Sequence, residues 1–426
     1  VVIVNRERFI LYLLFFFAGF LLILPKKPIL HIALPISTQK TETQALRVFL
    51  LNPQTLEANK ARIQVKDPSI MPAYYNLINQ AKKLLTTKPV SVMDKIQIPP
   101  SGDKHDYMSL ATYAWPNPKT PNGLPYVTHD GKINPKIYTV PDLQNLHTMI
   151  NGVNILSLAY YFSNDKRYAN QAALYIKTWF INPSTKMNPN LNFAQIIKGT
   201  DKGMAGGIID TNNIPQIIDG IGILEGTDVF SSTDKTALEQ WFCQYLNWMQ
   251  TSPSGKIIAS ASNNQRTWYD DQIISIELFL NNIDQAKQLA LTDEKKLLPE
   301  EINQEGGQPN ELDRTKSWDY SAFNLLALCD LADLSKNVNI NLWNYQTVDN
   351  RSINKAVYFL FPYATDRKKW IYKQIDPWND HLIATPLLHA ASSLNNLQYW
   401  NLGMHIQGKS ETYDINMLTY QTPTKK

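Results

Sequence analysis

Two polar strings carry most of the chemistry this chain can offer. Asn263-Asn264-Gln265-Arg266-Thr267-Trp268-Tyr269-Asp270 crowds amides and aromatic rings at the opening of a helical pattern. The stretch from Gln308 to Tyr320 runs into another helix and supplies Arg314 and, six places on, Tyr320. Each string packs too many polar groups into too few residues to suit a core. Amides and a guanidinium are hydrogen-bond donors, and a helix N-terminus attracts anions, so the strings suit a ligand that bears carboxylates. Thr267 reads as an N-cap with a helix beginning near Trp268, which leaves Asn264 and Gln265 in the turn before it. On an unbroken helix six residues span about 9 Å and point to different sides. Arg314 and Tyr320 therefore meet one ligand only if Arg314 precedes the helix. The plainer alternative is capping amides, a surface arginine and a core tyrosine.

The elements that must position these strings are helical. Leu143, Leu146, Ile150, Val153 and Leu156 recur at steps of three or four, and Ala169, Ala172, Ile176 and Phe180 repeat the pattern after a break at Ser163-Asn164-Asp165. A first helix is expected over Met71 to Leu85, and later ones near 212–225, 232–250, 268–281, 283–291, 315–334, 352–363 and 381–394. Strand-like alternation is sparse. Successive amphipathic helices with short turns predict an all-α fold, an incomplete barrel of helical hairpins or α/α toroid. Between Pro89 and Pro141 lies a long stretch rich in proline and glycine, with no helical period. A loop of that length before a barrel usually serves function. Its Tyr113 and Trp115 sit among prolines that could brace a carbohydrate groove.

Composition narrows the partners. With 44% hydrophobic and 18% charged residues the chain has the makings of a packed body. The net charge of +4 is compatible with an anionic polymer, but no Lys/Arg run of the nucleic-acid-binding kind is present. Cys243 and Cys329 show no metal-ligand spacing and read as buried free thiols. No metal or cofactor is expected. The residues give no oligomeric state.

Phe9 to Leu24 is an uncharged apolar run preceded by Arg6 and Arg8 and closed by Pro25-Lys26-Lys27-Pro28. It reads as an export signal that is either cleaved or kept as a membrane anchor, which places the protein in the periplasm or outside the cell. The expected organisation is a signal or anchor over 1–27, a lead-in with one helix over 28–88, and the toroid over 89–426.

Several strings in order resemble the alginate lyase family of polysaccharide lyases. They include Asp106-Tyr107-Met108-Ser109, Tyr113-Ala114-Trp115-Pro116-Asn117-Pro118, Asp130-Gly131-Lys132-Ile133-Asn134-Pro135 and Gly207-Ile208-Ile209-Asp210, followed by the two polar strings. The resemblance covers roughly residues 100 to 335 and implies an α/α toroid. It also implies β-elimination on a uronic-acid polymer such as alginate or a glucuronan. In that reaction a base removes the proton at C5, an acid protonates the oxygen leaving C4, and donors neutralise the neighbouring carboxylate.

By the same resemblance Asn264 contacts the substrate carboxylate, Arg314 is the family arginine and Tyr320 the catalytic tyrosine. A guanidinium beside a phenol favours phenolate, so Arg314 is a plausible activator. The family usually places a histidine where this chain has Gln265, and glutamine cannot serve as a base. The substitution favours elimination with proton and leaving group on one face, where tyrosine does both jobs, and it also leaves room for lost activity. Asn263, Tyr113, Trp115, Trp268, Tyr269 and His147 complete the expected substrate-binding set. His147 could replace the missing imidazole, although a structural role is the simpler reading. Two alternatives stand beside the lyase. One is a glycoside hydrolase on the same toroid, using two of Asp106, Asp210, Asp270 and Glu305. The other is a non-catalytic protein that binds acidic polysaccharide.

Overall fold

The computed structural model describes residues 46–408 and 413–424. The apolar run at Phe9 to Leu24 lies outside them. The helices are α1 (Pro53–Gln64), α2 (Met71–Leu84), α3 (Asp142–Ser163), α4 (Lys166–Phe180), α5 (Ile214–Leu224), α6 (Ser232–Thr251) and α7 (Pro253–Ile258). They continue with α8 (Asn264–Phe279), α9 (Ile283–Thr292), α10 (Leu298–Glu301), α11 (Pro309–Leu312), α12 (Ser317–Ser335), α13 (Ile353–Thr365), α14 (Ala384–Leu394), α15 (Leu397–Gln407) and α16 (Tyr413–Thr419).

An inner arc runs α3, α5, α8, α12, α14, each helix packing on the next. An outer layer backs it: α4 lies on α3, α9 on α8, α13 on α12 and α15 on α14. Near the C-terminus α16 returns to pack on α1 and α2, and α2 lies on α3. This is the expected toroid of paired helices. The turns have local causes. Asn164 takes a left-handed conformation at φ +57° to end α3, and the Asp165 side chain caps Arg167 at the start of α4. Ser231 and Asp234 close a capping box on α6.

The lead-in helices are not set apart from the barrel. Leu56 and Ile63 of α1, Ile70 just before α2, and Leu77 and Ala81 of α2 share one apolar core with α3 to α6, and residues Ala45–Lys426 form one compact unit. The thiols are both free, as expected, but Cys243 is exposed on α6 and only Cys329 is buried. Cys243 sits on the outward side of a helix whose inner face is filled by Trp241, Phe242, Tyr245 and Leu246.

Four short strands escaped the alternation pattern, three in the long loop and a fourth between α4 and α5. They are β1 (Met108–Leu110), β2 (Ala114–Trp115), β3 (Val127–Thr128) and β4 (Phe193–Ile196). β1 pairs parallel with β4, and β2 pairs antiparallel with β3. Strands of two to four residues are too short to show a period. Buried ties fix this loop to the barrel. Lys95 reaches Asp142 at 2.8 Å with both side chains fully buried, and it donates to the carbonyls of Val92 and Lys104. The buried Asp210 carboxylate accepts from Ser109 Oγ at 2.6 Å, Tyr107 Oη at 3.0 Å and Gln195 Nε2 at 2.7 Å. Gln195 holds a left-handed conformation at φ +52°, which is uncommon for a residue with a side chain.

Candidate active site

Arg314 lies in the connector before α12, and Tyr320 stands in the first turn of that helix. The condition for the two to meet is therefore satisfied. The guanidinium carbon lies 3.7 Å from the centre of the Tyr320 ring. Asp130 holds the guanidinium there, with Oδ1 2.5 Å from Nη2 and Oδ2 3.3 Å from Nε. The same carboxylate accepts from Thr315 N at 3.1 Å and Thr315 Oγ1 at 2.8 Å. Gly131 lets the chain come this close, because it sits at φ +76° and a Cβ would collide with Thr315 Oγ1. The Tyr320 hydroxyl donates to the Tyr113 hydroxyl at 2.7 Å. Lys316 stands 5.7 Å from the Tyr113 ring centre and pairs with Asp376.

The electrostatics of this cluster pull in opposite directions. Burial, and next the Tyr113 hydroxyl, push the Tyr320 phenol far above its ordinary value; Arg314 pulls it down and Asp130 raises it further. Burial also works to raise Asp130, but hydrogen bonds from Arg314 and Thr315 outweigh it and hold the carboxyl at about 2. The phenol is thus neutral in the free protein, and its positive neighbour is already half-answered by a carboxylate.

The amides are arranged differently from the sequence expectation. The α8 helix begins at Asn264, with Asn263 as its N-cap accepting from Gln265 N at 3.3 Å, so Thr267 is not the cap. Asn264 is buried, and its Nδ2 donates to both oxygens of Glu311 at 2.8 and 2.9 Å. Its backbone N–H donates to Glu311 Oε1 at 2.7 Å. The anion that a helix N-terminus favours is therefore supplied by the protein's own Glu311. Burial raises the Glu311 carboxyl, while Asn264 and then Arg314 lower it. Asn264 cannot also offer those donors to a substrate carboxylate without releasing Glu311. Gln265 is half-buried, and its amide end packs over Gly206, where a Cβ would lie 2.7 Å from Nε2. Its side chain makes no hydrogen bond among the described residues, so its donors are free.

Two aromatic residues expected to bind substrate are packed into the interior. Trp268 is 1% exposed and its ring packs against Phe323 at 5.0 Å. Tyr269 is buried, with its hydroxyl donating to Met249 O at 3.2 Å. Almost every residue of α8 is buried; only Gln265 and Arg266 are not, so the helix has no solvent face on which a ring could be displayed. Trp115 is half-buried, and its indole N–H donates to Lys132 O at 2.8 Å, which braces the loop. Tyr113 is the loop aromatic that reaches the site.

His147 is exposed on α3 and makes no hydrogen bond among the described residues. Partial burial lowers its pKa, and the charge of Asp210 opposes this. Nothing links it to Tyr320. The hydrolase carboxylates are engaged elsewhere. Asp106 is held by Ser101, Asn188 and Asn190, Asp210 by its three donors, and Asp270 by Arg266, while Glu305 is exposed on a turn. Among the described residues no group of His, Cys, Asp and Glu could hold a metal ion.

Asp130 and Glu311 carry the site's geometry without having been assigned a role from sequence. Asp130-Gly131 reads only as a turn signal, and Glu311 looks like first-turn decoration of a short helix. The spacing of Glu311 three places before Arg314 was the one available hint.

Residues 91–370 match the family model described as Alginate lyase. A crystal structure of an alginate lyase from Bacteroides ovatus is 33% identical, with a TM-score of 0.83 over 88% of this chain and 99% of that one. Alginate lyase A1-III from Sphingomonas species A1 is 13% identical, with a TM-score of 0.56 over 88% of this chain and 97% of that one. A complex of A1-III with a tetrasaccharide is likewise 13% identical, with a TM-score of 0.58 over 90% and 98%. At that identity the A1-III likeness speaks to the fold alone. No curated protein matches the chain.

Proposed function

The chain belongs to the alginate lyase family of polysaccharide lyases, acting on an acidic polysaccharide, and from that premise we propose that it cleaves alginate or a related polyuronate with Tyr320 as both base and acid. The observation that carries this reading is the placement of the Tyr320 ring against Arg314, with no imidazole at the position of Gln265.

The Tyr320 phenol first gives its own proton to solvent, and the phenolate so formed takes the C5 proton. The electron pair left on C5 forms the C4–C5 double bond, the C4–O bond breaks, and the phenol returns a proton to the departing oxygen. All of this occurs on one face of the sugar ring, which suits units whose C5 hydrogen and C4 oxygen are syn. Arg314 stabilises the phenolate as it forms, because a cation on the ring face favours the charged state. Gln265 offers its free amide N–H groups to the substrate carboxylate. Glu311 and Asn264 act one step back: they anchor the start of α8 beside the connector that carries Arg314. Tyr113 takes the hydrogen bond of the resting phenol and releases it when substrate binds. The run from Phe9 to Leu24 supports export, so the enzyme works in the periplasm or outside the cell, free or anchored.

The test is a panel of polymannuronate, polyguluronate, mixed alginate and glucuronan, followed by the ultraviolet absorbance of the unsaturated product. A syn-type polymer should give the fastest rise. Binding without any rise would leave the non-catalytic alternative in its place.

A further inference from the structure

A cavity of about 670 Å³ lies in the long loop, and the elimination gives it no task. Its size is that of a small-ligand site. Leu110, Ile137 and Ile196 line its apolar part. Ala114 lines it as well, whereas Tyr113, one residue earlier, reaches Tyr320. None of Gln265, Arg314 and Tyr320 lines the cavity.

Its lining brings two exposed ammonium groups to one aromatic ring. Lys136 and Lys198 both lie over the Tyr126 ring, each ammonium 5.9 Å from its centre. Lys136 Nζ also donates to the Tyr126 hydroxyl at 3.2 Å. Neither lysine has an ion-pair partner among the described residues; Asp201 borders the cavity but pairs with neither. The arrangement is built into the backbone. Tyr126 N donates to Lys198 O at 2.9 Å, and Gly199, at φ +94°, permits an approach that a Cβ would block at 2.9 Å from Pro125 Cα. Gln97, also on the lining, keeps a buried side-chain carbonyl oxygen without a partner.

We propose that this cavity is a second binding site for the acidic polysaccharide, an exosite for uronate units outside the bond-breaking centre. Lys136 and Lys198 pair with sugar carboxylates, the apolar lining takes the C–H faces of the rings, and Gln97 accepts from a hydroxyl. The inference rests on the polyuronate reading above. Two sites on one polymer raise its retention through effective concentration, while a short oligomer gains nothing from the second.

The test uses the Tyr320→Phe protein, titrated calorimetrically with a mannuronate tetramer. Two sites are expected, and one after adding Lys136→Ala and Lys198→Ala. In the active protein the same pair of alanines should raise KM for polymer by roughly 3- to 10-fold, an effect lost at high salt, and leave turnover of the tetramer unchanged. One site in both proteins, or an unchanged polymer KM, overturns the exosite while product formation upholds the lyase. No binding together with no product overturns both.

Discussion

At the scale of single residues, the site is a contest over one proton. Arg314 lowers the Tyr320 pKa and Asp130 raises it, so their removal should act in opposite senses. In the alkaline-rising limb of kcat/KM, Arg314→Gln should move the midpoint up and Asp130→Asn should move it down, as read from pH–rate profiles. Asp130→Asn also loosens the guanidinium, so a lower maximal rate is expected with the downward shift. Gly206→Ala probes Gln265 without touching it. The added methyl meets the flexible end of the Gln265 side chain at 2.7 Å, so melting should change little. Displacement of the amide should cost roughly 10- to 100-fold in kcat/KM, and an unchanged rate would show that Gln265 does not hold substrate. The phenol and guanidinium were singled out by the family resemblance and by the polar string around them, not by their spacing. Sequence could not find that Asn264 spends its donors on Glu311, because nothing in a linear string tells a ligand carboxylate from the protein's own.

At the scale of elements, the loop from Pro89 to Pro141 matters as much as the helices. It brings Asp130 and Tyr113 to the site, and buried polar ties hold it. Lys95 and Asp142 are the main clasp. Burial raises the Asp142 carboxyl to about 6 against the pull of Lys95. Lys95→Met removes the cation and three of the loop's anchors while leaving a buried carboxylate. That should destabilise by about 3–5 kcal/mol in denaturant melts. The helices were legible from periodicity because most have one dry face, as in α4 and α9. α8 was misjudged for the opposite reason. Buried nearly all round, it has no polar face to mark its start, and its true cap, Asn263, was hidden among other amides. The same burial removed Trp268 and Tyr269 from the binding set.

At the scale of the whole molecule, the interior of the toroid holds many carboxyl groups. Burial, as the first cause, lifts Asp219, Glu301 and Asp330 each to about 7. Unfolded, these groups titrate near pH 4. The folded form therefore holds protons that the unfolded chain has lost, and the stability this lends is complete below pH about 4 and disappears as pH rises through 7. Asp130 and Asp333, held at about 2, contribute in the opposite sense and fail only below pH about 4. Thermal melts should accordingly show a higher Tm at pH 5 than at pH 8. Asp271 has neither oxygen hydrogen-bonded among the described residues, and burial, then the charges of Asp330 and Asp270, raise its carboxyl well above the ordinary range, which favours the uncharged form. Asp271→Asn should change stability by less than about 1 kcal/mol.

The role of the phenol is open to one direct measurement. Tyr320→Phe keeps the ring beneath Arg314 and deletes only the hydroxyl. With polymannuronate, the variant should bind the polymer about as well as the parent protein while the ultraviolet product signal falls by at least about 10²-fold. A variant that still forms the unsaturated product at the parent rate would show that another group takes the C5 proton.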